Sequence, residues 1–191
     1  KLRVSVKKMK AILLLQSGSF SDGKLPVEFQ DIRKVFKAAG KIREADINIQ
    51  LLETHHVTDK KIKKELKEIV KKKSAEFRGK IGDYLRKVHK LVPLFLRKFS
   101  TLPGNKVVGL FNKELRSLST SSQVRMGSVQ LHDCRKKLKN LLYIHSSLGP
   151  AMIKKMKINI FYLKKLVETI GEWHDVIIII FLLKESGYSE K

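Results

Sequence analysis

The chain has 191 residues, enough for one sizeable domain or two small ones on a shared core, and 42% of them are hydrophobic, which excludes a disordered tail. Lys and Arg number 41 against 18 Asp and Glu, a formal charge of +23, so the fold stores self-repulsion and its surface suits a polyanion: nucleic acid, polyphosphate or an acidic membrane surface. A single cysteine, Cys134, excludes an internal disulfide and every zinc site that needs two thiolates, and it suits a reducing compartment.

The first predicted helix runs from the N-terminus to about Ser17. Cations precede an apolar run there, as in a signal peptide, but the uninterrupted run is only Ala11 to Leu15 and the cations are interleaved at helical spacing. It ends in the turn-rich SGSFSDGKLP. A second helix starts near Pro26, a good first-turn residue, and continues to about Thr54, where His55 and His56 are placed to cap its C-terminal dipole. Asp59 is the N-cap expected for a long third helix, whose apolar positions from Ile62 to Val88 keep a near-heptad seam. Lys60, Lys64, Lys67, Lys71 and Arg78 lie largely opposite that seam and read as a solvated face. Pro93 and Pro103-Gly104 break or end the stretch beyond it, a fourth helix covers about Asn105 to Leu118, and STSSQ reads as a linker. A fifth helix contains LHDCRKKLKNLLYIH and stops near Gly149-Pro150, and a sixth continues to about Ser186. Within it VIIIIF, Val176 to Phe181, is β-branched but has no partner run, so it reads as a fully buried helix segment; it is far short of a membrane span. The expected architecture is all-α, a bundle of about six helices, soluble and cytoplasmic.

Positions three, four, seven and eleven apart share a helix side. In the fifth helix His132, Arg135, Lys136, Lys139 and Tyr143 form one stripe, and Leu131, Cys134, Leu138 and Leu141 form another. The first helix repeats the layout: Arg3, Lys7 and Lys10 run beside Leu2, Val6, Met9 and Leu13. Each cationic comb therefore borders a core-facing seam, where a groove rather than open solvent is expected. A constant offset aligns Arg3 with Arg135, Lys7 with Lys139 and Ala11 with Tyr143, and GKIREADI (Gly40 to Ile47) matches GEWHDVII (Gly171 to Ile178) one residue out of that register. These matches point to an internal duplication with halves of about 1–118 and 123–191, and they put the counterpart of His132 one position before Lys1.

The pairs His132-Asp133 and His174-Asp175 raise the question of metal-dependent hydrolysis. Adjacent helical residues point about 100° apart, and His55, His56, His89 and His145 supply no matching spacing, so no metal is expected. His132 then donates to phosphate oxygen, or caps or packs at a helix end; a bound polyanion favours its protonated form. Asp46 and Asp175 read as structural carboxylates, with Arg43 and His174 as the side chains they orient, rather than as an acid–base pair. A GxxxxGK[ST] phosphate loop is absent. No catalytic residue and no cofactor are expected.

The pattern His132-x-x-Arg135-x-x-x-Lys139-x-x-x-Tyr143, followed by LKKLVETIGEWHD, resembles the second half of the conserved histidine α-helical domain, or CHAD. RVSVKKMKAILLL followed by FKAAGKIREADI resembles its first half. The resemblance implies a pseudo-twofold helical bundle around a basic central groove or channel that binds inorganic polyphosphate without catalysis, and association with polyphosphate granules. Carried over by position, the contacts would come from Arg3, Lys7, Lys8 and Lys10 in the first half and from His132, Arg135 and Lys139 in the second. Asn140 and Leu142 stand where the family often has further cations, so the second comb is thinner, and the second half stops after one long helix where the first continues through two more. The chemistry agrees: polyphosphate offers charge but no bases, so its receptor needs Arg forks and Lys point charges rather than stacking platforms. Tyr143 is the only aromatic on the fifth-helix comb, whereas single-strand binders interleave aromatics. A sequence-nonspecific nucleic-acid-binding helical protein is the alternative.

Overall fold

Apolar residues at helical spacing and few breakers make the chain helical almost throughout. The computed structural model describes residues 2–18, 25–27, 29–98, 102–122, 126–156 and 158–186. Among them are eight α-helices and no strand: α1 (Leu2–Gln16), α2 (Phe29–Thr54), α3 (Lys60–Gly79), α4 (Ile81–Lys98), α5 (Gly104–Ser122), α6 (Ser128–His145), α7 (Pro150–Lys155) and α8 (Ile160–Glu185). No helix among the described residues is long and apolar enough to cross a membrane.

The helix ends follow local chemistry. Asp59 caps α3 as expected, its Oδ1 accepting from the Ile62 N–H at 2.9 Å. At the end of α2, His56 takes a left-handed φ of 55°, its N–H donates to the Glu53 carbonyl, and the Val57 N–H reaches back to Leu52 at 2.8 Å. That is a Schellman motif, so the cap is made by backbone rather than by imidazole.

Five expectations change. The long third helix is broken at Lys80, between two glycine-containing turns, and the apolar seam is buried only at Ile62 and Leu66; Ile69, Ile81 and Leu85 are exposed. Pro93 lies inside α4 without ending it, since its ring forfeits one hydrogen bond but leaves the turns on either side intact. The predicted STSSQ linker is helical through Ser122, its Thr120 Oγ1 donating to the Arg116 carbonyl one turn back at 3.1 Å, a bond a helix accommodates; Gln123 lies outside the described residues. The predicted sixth helix is two: Met156 is extended, and Asn159 Oδ1 accepts from the Tyr162 N–H at 3.0 Å to start α8 afresh. VIIIIF is helical, but only Ile179 is buried, while Val176, Ile177, Ile180 and Phe181 are exposed, because a helix apolar on every side cannot turn every side inward.

The chain forms two compact units, one of residues 1–27 and 97–171, the other of residues 28–96 and 172–191. In the first, α1 packs on α6, with Val6, Leu13, Leu138 and Leu141 buried. In the second, α2 packs on α3 around Ala45, Leu52, Ile62 and Leu66, and Val57, Leu182 and Leu183 close over that cluster. Each fully buried Leu contributes about 1.5–3 kcal/mol.

Candidate polyanion site

The α1–α6 pair carries all of the predicted binding residues. Leu138, Leu141 and Ile144 are no more than 2% exposed and fix which side of α6 faces the core. That choice leaves His132, Arg135, Lys139 and Tyr143 half-buried along the margin, with Lys136 exposed. On α1, burial of Val6 and Leu13 leaves Arg3, Lys7 and Lys8 half-buried and Lys10 exposed. Half-burial suits long basic side chains, whose methylene stems cover apolar surface while the charge stays at the water boundary.

Tyr143 links the two helices electrostatically. Burial pushes its phenol up, and the charges of Arg135 and Arg3 pull it back, so one guanidinium from each helix acts on the same hydroxyl. Arg135 is also held from the far side. Its Nε donates to the Val167 carbonyl of α8 at 3.4 Å, and a Cβ built on Gly171 would lie 2.7 Å from its Nη2. The guanidinium therefore rests on bare helix backbone that only glycine leaves open. Gly171 stands in GEWHD, where sequence reasoning gave it no role. The available signal was a glycine in mid-helix, which costs about 1 kcal/mol relative to Ala and usually has a packing reason.

The other cations of α6 diverge. Lys136 Nζ binds Asp133 Oδ1 at 2.6 Å, one turn away, and this bond, with Lys136, His132 and Lys137 charges adding, holds the Asp133 carboxyl below its usual range. The Asp133 carboxylate of the His132-Asp133 pair thus faces a lysine at the surface. Lys137 lies 3.9 Å from Glu114 of α5. Burial raises the Cys134 thiol, with Lys137 opposing, which keeps it a poor nucleophile. His145 ends α6, where the helix dipole favours imidazolium, but burial and then the Lys164 charge lower its pKa.

The remaining predicted residues belong to the second unit. Arg43 is exposed, and Asp46 is half-buried and accepts from Gln50 Nε2 at 3.5 Å. His174 and Asp175 are half-buried, the His174 ring centred 6.4 Å from that of Trp173. Among the described residues no three His, Cys, Asp or Glu side chains gather closely enough to hold a metal ion.

The CHAD domain family model matches residues 1–184. No curated protein and no solved structure matches the chain.

Proposed function

The chain belongs to the CHAD domain family, a binding domain known to take polyphosphate in some proteins, and on that premise we propose that it binds inorganic polyphosphate along the basic margin of α1 and α6. The observation that carries this reading is the packing of α1 on α6, which leaves Arg3 and Lys7 of one helix and Arg135 and Lys139 of the other half-buried beside the buried apolar residues. Arg offers a planar fork to two phosphate oxygens, Lys a point charge, and His132 a donor that a bound polyanion charges further. Nothing in this chemistry forms or breaks a bond: the reading is non-catalytic binding, with the cytoplasm and its polyphosphate granules as the site of action.

The test is a competition titration at about 150 mM salt, where unpaired surface charges are screened beyond about 8 Å. Labelled long-chain polyphosphate should be displaced by unlabelled polyphosphate and poorly by RNA or duplex DNA at equal phosphate concentration. Equal displacement by all three would move the reading to sequence-blind nucleic-acid binding. Arg135→Ala with Lys139→Ala should weaken binding about tenfold or more, each lost charge-assisted bond being worth about 1.5–3 kcal/mol. Lys64→Ala with Lys71→Ala, on the exposed face of α3, should change it little. Equal losses would mean that the α1–α6 margin is no more than part of a diffuse field.

A further inference from the structure

A second basic site lies in the other unit, and it has a cavity, of about 330 Å³. One wall is α2, which presents Lys34, Lys37 and Lys41 at helical spacing over about 10 Å, with Lys34 Nζ bonded to Asp31 Oδ1 at 3.0 Å. Across from them stand Lys73 of α3 and Lys80, the residue that breaks α3 from α4. Phe77 and Tyr84 share the lining, both half-buried, with ring centroids 5.3 Å apart and planes inclined at 44°. Glu76 shares the lining and receives Lys73 Nζ at 2.9 Å.

We propose that this cavity binds a nucleoside di- or triphosphate, the lysines taking the phosphate tail and the Phe77–Tyr84 pair lying against the base. Two features separate that ligand from bare polyphosphate. The aromatic pair supplies an apolar surface for which an inorganic chain has no use, while a base gains stacking from it. Glu76, held below the usual carboxylate range first by its bond to Lys73, stays ionised at neutral pH. It repels phosphate but accepts from a ribose hydroxyl or an exocyclic amine. The volume, at the lower end of small-molecule sites of about 300–1,000 Å³, has room for one nucleotide. The site shares no residue with the α1–α6 margin, so it stands or falls separately from the polyphosphate reading.

The experiment is calorimetric titration of ATP, of tripolyphosphate and of long-chain polyphosphate into the protein and three variants, each checked by thermal melting. ATP should bind saturably. Lys37→Ala with Lys80→Ala should weaken ATP about tenfold or more, by loss of two charge-assisted contacts, while leaving long-chain polyphosphate binding in place. Tyr84→Leu should weaken ATP about fivefold or more but leave tripolyphosphate unchanged, because only the nucleotide stacks. Arg135→Ala with Lys139→Ala should leave ATP binding intact. The proposal is overturned if ATP does not bind saturably, if Tyr84→Leu affects both ligands alike or neither, or if ATP affinity is lost in the α6 variant and kept in the lysine variant.

Discussion

Arg135, a proposed polyphosphate contact, is positioned by parts far apart in the chain. Its charge is visible in the fifth-helix stripe, but its orientation depends on the Val167 carbonyl and on the absence of a side chain at Gly171. Gly171→Ala tests this. The added Cβ would sit 2.7 Å from Nη2, so the guanidinium must move. Ala is the better helix former by about 1 kcal/mol, so the variant should melt no lower than wild type while its polyphosphate affinity falls. Affinity equal to wild type would show that Arg135 binds from any orientation. Charge and spacing made Arg135 legible in the sequence; the glycine beneath it was not, because a contact between residues so distant in the chain leaves no periodic trace.

At the scale of helices, breaks and caps decide which faces are presented. Asp59 was readable because N-capping is a local bond between a side chain and the backbone three residues on. Asn159 makes the same kind of bond, yet it sits within an apolar stretch that reads as continuous helix. The break at Lys80 was hidden by a seam that looks unbroken from Ile62 to Val88, although it places Lys80 and Tyr84 beside Phe77 in the lysine-lined cavity. The end of α2 carries a prediction of its own. His56 holds a left-handed conformation that costs a non-glycine residue about 1–2 kcal/mol, and its side chain is exposed. His56→Gly should therefore stabilise the protein by about 1 kcal/mol in urea unfolding, with no change in polyphosphate binding. An unchanged midpoint would mean that the imidazole makes a compensating contact.

For the whole molecule, the question is whether +23 acts as a field or through sites. If Arg3, Lys7, Lys10, Arg135 and Lys139 make the contacts, the logarithm of the binding constant should fall with that of salt concentration with a slope of about −3 to −4, by analogy with single-stranded nucleic acids. A much steeper slope would mean that polyphosphate engages lysines across the surface. The sequence by itself determined the all-α class, the cations beside Val6, Leu13, Leu138 and Leu141, and membership of a family matched over residues 1–184, although Leu2, read as part of the apolar stripe of α1, is exposed. All of these rest on periodicity and short motifs, which are local. Tertiary structure alone decided that α1 packs on α6, that Arg135 rests on Gly171, that the lysines of α2 line one cavity with Lys73 and Lys80, and that much of VIIIIF stays exposed. The reason is physical: periodicity states which side of a helix avoids water, but what that side meets depends on residues distant in the chain.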